Sequence, residues 1–298
     1  MISSDDRKRQ QSVKIAILVI HGANRNADDY FCSITSIISQ QTKFTTEQVL
    51  VIAPRFLVPT DANEAPHDDD YLRWKDTPNG PWRYGADAIH PMPISSFEVM
   101  DTFIKTIQQT FPNLQYLTMV GHSSGGQFVQ RYALLSPTFD DGDNNSSSSS
   151  TNSPYNSNAS HSKIHMQAVV ANPSSYAYLT PWRYSKSNET WFQPDTKVCP
   201  KYNQWEWGLE TTEHTPPYVQ QILRQYSTHQ LIQRFSQRHV VYLQGFLDQC
   251  NVTGTGTETN VETSGIIINT TTTTTTRSRR LQSQSIQQQE HPWCQSHG

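Results

Sequence analysis

One turn constrains this chain more than any other feature. Residues 117–126 read LTMVGHSSGG: an apolar, strand-like run reaching Gly121, then Ser123, then residues suited to a helix. The pattern G-x-S-x-G between a strand and a helix is that of a nucleophile elbow. A serine on so sharp a turn sits in strained backbone geometry, with the residues two places away on each side crowded together. Gly121 and Gly125 lack the Cβ atoms that would clash there. A helix starting directly after the serine aims its unbonded N–H groups at an oxyanion formed on the substrate. The alternative is an ordinary Gly/Ser loop, and the flanking strand and helix decide for the elbow.

The rest of the chain alternates in the same way. Short β-branched apolar runs at 14–20 (KIAILVI), 48–53, 115–120, 164–171 and 239–245 read as buried strands. Residues 96–111 read as a helix: Ser95 and Glu98 form a capping box, Phe97, Met100, Ile104 and Ile107 recur at helical spacing, and Pro112 stops it. Residues 125–135 continue the elbow as a helix facing Phe128, Val129, Tyr132 and Leu135 to the sheet, and 218–235 fit one further helix. Alternating strands and helices predict an α/β fold, a mostly parallel sheet flanked by helices.

Two stretches break the alternation with aromatics rather than low complexity. Residues 60–93 carry Tyr71, Trp74, Trp82 and Tyr84, which either line a substrate mouth or seal the core edge. Residues 174–217 carry Trp182, Trp191, Trp205 and Trp207 and are too long for a crossover. They read as a cap over the carboxyl edge of the sheet, where ligands bind in open α/β sheets. The alternative is an excursion that packs aromatics without touching ligand.

Residues 138–162 and 251–290 are Asn/Ser- and Thr/Gln-rich, too polar to bury a core, and are expected to be disordered inserts. Only Ile266, Ile267 and Ile268 suit a strand there. One domain over 1–298, with the cap and two inserts, is the expected organisation.

The inserts also account for a hydrophobic content of 35%. A net charge of −3 gives no reason to expect a nucleic-acid partner. No apolar run is long enough for a transmembrane segment, and nothing before residue 13 reads as a signal peptide. Cytoplasmic location is therefore the expectation, although six sequons (at Asn144, Asn145, Asn158, Asn188, Asn251 and Asn269) would suit secretion. The four cysteines, Cys32, Cys199, Cys250 and Cys294, are too sparse for a disulfide scaffold. A Cys250–Cys294 bridge is possible by position, but buried or free thiols are expected. No His/Cys/Asp cluster has metal-ligand spacing, so no metal or organic cofactor is implied.

A serine needs a base to take its proton, and that base needs a carboxylate. In an alternating fold the carboxylate follows a later strand, where Asp248 stands. The histidines beyond it are His291 and His297, and His297 is taken as the base. His21-Gly22, directly after the first strand, suits an oxyanion loop. It can also be an ordinary turn, with Asp28 or Asp29 capping a helix to about residue 40.

The chain resembles the α/β-hydrolase superfamily, in particular serine-hydrolase-like proteins of unassigned substrate. The motifs are VIHGANRNADDYF at 19–31, SSFEVMD at 95–101, GHSSGGQFVQRYA at 121–133, ANPSSY at 171–176, C-P-x-Y-N-x-W at 199–205 and V-x-Y-L-x-G-x-x-D at 240–248. This resemblance implies Ser123 as nucleophile, Asp248 as acid, and the N–H groups of Ala23 and Ser124 as the oxyanion hole. It also implies a catalytic histidine in a last strand and helix beyond the region resembling Trp293-Cys294, whereas this sequence stops at Gly298. Truncation before that histidine is thus expected. The implied activity is a carboxylesterase- or lipase-like hydrolysis of a small-molecule ester through an acyl-serine. The rival is a non-catalytic binding protein, or an inactive fragment, on the same scaffold.

Overall fold

A computed structural model describes residues 4–61, 70–77, 80–139, 164–185 and 188–245, and the backbone of 266–268. Asp248, His291, His297, Cys250, Cys294 and nearly all of both polar tracts lie outside the described residues.

Helix α1 (Ser4–Ser12) leads into β1 (Ile15–Ile20), α2 (Ala27–Gln40) and β2 (Val49–Ile52). Then come α3 (Ser96–Thr110), β3 (Tyr116–His122), α4 (Ser124–Leu135) and β4 (His165–Ala171). A small antiparallel pair, β5 (Arg183–Ser185) and β6 (Thr190–Phe192), precedes α5 (Pro217–Gln225), α6 (Thr228–Gln237), β7 (His239–Gly245) and β8 (Ile266–Ile268).

The six-stranded sheet runs β2-β1-β3-β4-β7-β8. Five strands are mutually parallel and β8 is antiparallel to β7. The register aligns Ile20 with Gly121 and Gly121 with Val170, so the chain leaves β1, β3 and β4 at one level of the sheet edge. Every one of the 12 residues of α4 is buried, which makes this helix the axis of the molecule. The fold is α/β: a mostly parallel sheet flanked by helices, with the serine turn at its centre.

The aromatics of 60–93 divide. Trp74 and Trp82 seal the core, while Tyr71 is exposed. Trp82 stacks on Phe56 at 4.7 Å between ring centroids, and Trp74 meets Phe56 edge-on at 5.1 Å. The Trp74 indole N–H is satisfied by the Ala86 carbonyl at 2.9 Å, so its burial leaves no orphan donor.

Several expectations need correction. Helix α2 is capped at Asn26, not at Asp28 or Asp29, both of which lie in its first turn. Ser95 caps α3 by accepting the Phe97 N–H, but its hydroxyl donates to the Gly85 carbonyl, and no reciprocal Glu98 bond forms. Residues 218–235 are two helices, broken at Tyr226-Ser227. Ser227 and Gln230 make a capping box that starts a new helix there.

Two residues of the first polar tract are described, and they are ordered against the core. Thr138 and Phe139 are buried, with Phe139 edge-on to Tyr132 at 5.8 Å. The expectation of buried or free thiols fails at Cys199, which is disulfide-bonded. Cys32 is free and exposed.

Candidate active site

Ser123 has φ 56° and ψ −118°, a left-handed backbone that a non-glycine residue adopts at a cost of about 1–3 kcal/mol. The surrounding glycines explain how the chain tolerates it. A Cβ on Gly121 would lie 2.1 Å from the Gly125 carbonyl oxygen, and one on Gly125 would lie 2.2 Å from the Ile20 oxygen. Only glycine lets β1, β3 and α4 approach this closely. The turn is pinned on its far side as well, where the Ser123 N–H donates to the Ala171 carbonyl at 3.0 Å. Ser123 itself is half-buried, which leaves it reachable.

The loop after β1 lies against this turn. A Cβ on Gly22 would sit 3.8 Å from Ser123 Cβ, which places the Gly22–Ala23 peptide beside the serine. That peptide is oriented by His21, whose ring is fully buried, edge-on to Trp82 at 4.8 Å. The Phe56 N–H donates to His21 Nε2 at 3.0 Å, so the ring proton resides on Nδ1, which donates to the Gly22 carbonyl at 2.8 Å. Burial pulls the His21 pKa down to about 4, with the positive charges of Arg25 and Arg55 adding to the effect; the Gly22 bond and Asp61 act the other way.

The imidazole is therefore a neutral, one-tautomer clamp. The Arg25 N–H also reaches the Gly22 oxygen, at 3.2 Å. In a trans peptide the N–H points opposite to the C=O, so the Ala23 N–H faces away from His21. Neither that group nor the Ser124 N–H finds an acceptor among the described residues. The loop is fixed from outside by Arg25, bound to Asp61 through Nε at 2.9 Å and Nη2 at 3.2 Å.

Two residues that the sequence reading did not single out join the loop to the turn. The Tyr30 hydroxyl lies 3.1 Å from His122 Nδ1, and a Cβ on Gly22 would sit 3.0 Å from that hydroxyl. Tyr30 stands within the VIHGANRNADDYF motif, but only pairing of β1 with β3 sets it against His122. Arg83 was missed as well: it is buried in the 3-10 turn Pro81–Tyr84 and reaches Ser124 Oγ at 3.4 Å.

Of the expected site residues, Ser123, Ser124 and Ala23 come together; Asp248, His291 and His297 fall outside the described residues. Neither ring nitrogen of His21 is available as a base, and His122 turns its Nδ1 to Tyr30. Among the described residues no group of three or more His, Cys, Asp or Glu could hold a metal ion. Nor is any helix there long and apolar enough to cross a membrane.

The 174–217 stretch packs onto α4 and the turn at 81–84. Arg131 of α4 donates to the Glu206 carbonyl at 3.1 Å and to Ser175 Oγ at 3.0 Å, and the Trp205 indole N–H donates to the Tyr84 carbonyl at 2.9 Å. Arg183 lies over the Tyr178 ring at 3.8 Å and donates to the Tyr202 carbonyl at 2.7 Å.

Two solved structures are similar to this one. The first, poly(aspartic acid) hydrolase-1 from Sphingomonas sp. KT-1, is 18% identical with a TM-score of 0.41; the match covers 80% of this chain and 63% of that one. The second, LpqC, a poly(3-hydroxybutyrate) depolymerase from Bordetella parapertussis, is 16% identical with a TM-score of 0.34, covering 78% of this chain and 75% of that one. This chain thus spans less than two thirds of the length of the first. At such low identity the likeness concerns the fold alone. No family model matches the sequence, and no curated protein does.

Proposed function

We propose that the chain is a serine hydrolase that cleaves a carboxylic ester through an acyl-Ser123 intermediate. The observation that carries the reading is the strained Ser123 backbone, held by glycine contacts of 2.1 and 2.2 Å at the start of a buried helix. Strain kept where the surroundings over-determine it is characteristic of reactive positions. Two N–H groups without acceptors among the described residues, on Ala23 and Ser124, flank the serine and suit the oxyanion of a tetrahedral intermediate. In this reading Asp248 orients the base, with His297, or else His291, as the proton acceptor from Ser123. Hydroxyl attack forms the ester to Ser123, the protonated base releases the alcohol, and water then regenerates the serine.

A fluorophosphonate probe tests the reading. Intact mass should show one adduct, mapped to Ser123 and absent in Ser123→Ala, which should also lose ester turnover. A folded wild-type chain that takes no label would instead support the rival, a binding protein on this scaffold. We place the chain in an oxidising compartment rather than the cytosol, because the Cys199 disulfide would not persist among reduced thiols.

A further inference from the structure

Arg83 is only 8% exposed, yet it is poorly supplied with acceptors. A guanidinium carries five N–H donors and stays charged, so a buried one ordinarily gathers carbonyls and carboxylates around it. Here Nη1 reaches Ser124 Oγ at 3.4 Å, the long limit of a hydrogen bond. Nε is sealed from solvent without a partner. Nη2 makes no hydrogen bond among the described residues.

Among the described residues the surrounding charges do not balance. Glu206 is the acidic group acting on both Arg83 and Arg131, and the two arginines oppose each other. Arg131 is satisfied by Gln127, Ser175 and the Glu206 backbone. Tyr84 brings no negative charge, because burial, reinforced by Glu206, pushes its pKa up to about 12. Among the described residues, two buried positive charges thus face one carboxylate, that of Glu206. The under-supplied one touches Ser124, the residue next to the proposed nucleophile.

We propose that Arg83 binds a carboxylate on the acyl part of the substrate, so that the site selects half-esters of short dicarboxylic acids. The inference rests on the serine-hydrolase reading of Ser123. The N–H proposed to receive the oxyanion and the hydroxyl that Arg83 touches belong to the same residue, Ser124. A carboxylate seated at Arg83 is therefore separated from the reacting carbonyl by a short linker only. A guanidinium so short of partners suits a single carboxylate, which its planar face matches well. The rival account is that Arg83 merely packs against Ser124.

The test compares monoethyl succinate with ethyl butyrate, esters of similar acyl length, by pH-stat. The wild type should favour the charged ester in kcat/KM. In Arg83→Gln the ratio between the two esters should fall about a hundredfold, the scale of losing a charge-assisted hydrogen bond from a buried site. Arg83→Lys should recover part of it. Near-UV circular dichroism establishes that each variant is folded. A preference for the neutral ester in the wild type, or a ratio unchanged in Arg83→Gln, would overturn the inference.

Should the wild type hydrolyse neither ester, calorimetry with succinate decides separately. Binding that is lost in Arg83→Gln would keep the anion site while the hydrolase reading falls. No binding to the wild type would overturn the anion site.

Discussion

The two ends of α4 hold buried charge in opposite ways. At its C-terminal end the Asp101 carboxylate is saturated: Tyr132, Ser136 and Thr138 hydroxyls donate to one oxygen at 2.6, 2.6 and 2.8 Å, and Tyr218 donates to the other at 2.7 Å. These donors come from α4, the residues after it and α5, so one side chain of α3 ties the elements together. At the N-terminal end Arg83 has one long hydrogen bond and a partnerless Nε, beside a serine in strained geometry. A fully satisfied buried network rigidifies a fold, whereas a charge left short of partners beside a reactive group has capacity for a ligand. The difference separates the part of α4 that holds the molecule together from the part that offers chemistry.

The largest effect should come from Gly125→Ala, where the new Cβ would meet the Ile20 carbonyl at 2.2 Å. We expect a loss above about 5 kcal/mol in urea unfolding, or no native fold at all, because only backbone could move to relieve the contact. The milder control is Gly22→Ala, whose nearest neighbour is the mobile end of Tyr30, at 3.0 Å. Asp101→Ala should cost about 4 kcal/mol, as its buried hydroxyl donors are left unsatisfied. Arg83→Met should stay within about 1 kcal/mol of the wild type, since few interactions are lost and a buried charge is removed. Equal costs for these two variants would break the contrast between the two ends of the helix.

His21 gives an effect of intermediate size that appears only with pH. Its ordinary pKa of 6.5 falls to about 4 in the folded chain. Above pH 6.5 the ring is neutral in both states. Between 6.5 and 4 the unfolded chain takes up a proton that the folded chain refuses, so stability falls with pH. The linked loss from this one group reaches at most roughly 3 kcal/mol. Urea midpoints measured from pH 7 to pH 4 should show this slope, and His21→Gln should flatten it.

Much of this was legible in the sequence. The apolar runs gave the parallel strands, the stripe Phe97–Met100–Ile104–Ile107 became the buried face of α3, and the glycines around Ser123 announced the turn they permit. The break between α5 and α6 was also written there, in Ser227 and Gln230, but it was masked by the helical period on both sides.

What lay beyond the sequence is non-local. The Ser95 hydroxyl donates to the Gly85 carbonyl, ten residues upstream, and Glu98 makes no reciprocal bond to the Ser95 N–H. Cys199 is disulfide-bonded, which its place in the sequence did not suggest. Arg83 meets Ser124 across 41 residues of chain, and Asp101 meets Tyr218 across 117.

By itself, then, the sequence determined the strands, the helices and the serine turn, because these depend on side-chain period and on the steric limits of a few consecutive residues. Only the tertiary structure decided which buried charges are satisfied and which are not. Pairing β1 with β3 sets the His21 loop beside Ser123, and packing the turn at 81–84 on α4 brings Arg83 to the first residue of that helix. Hydrogen-bond satisfaction is a property of groups brought together in space, and no periodicity along the chain encodes it.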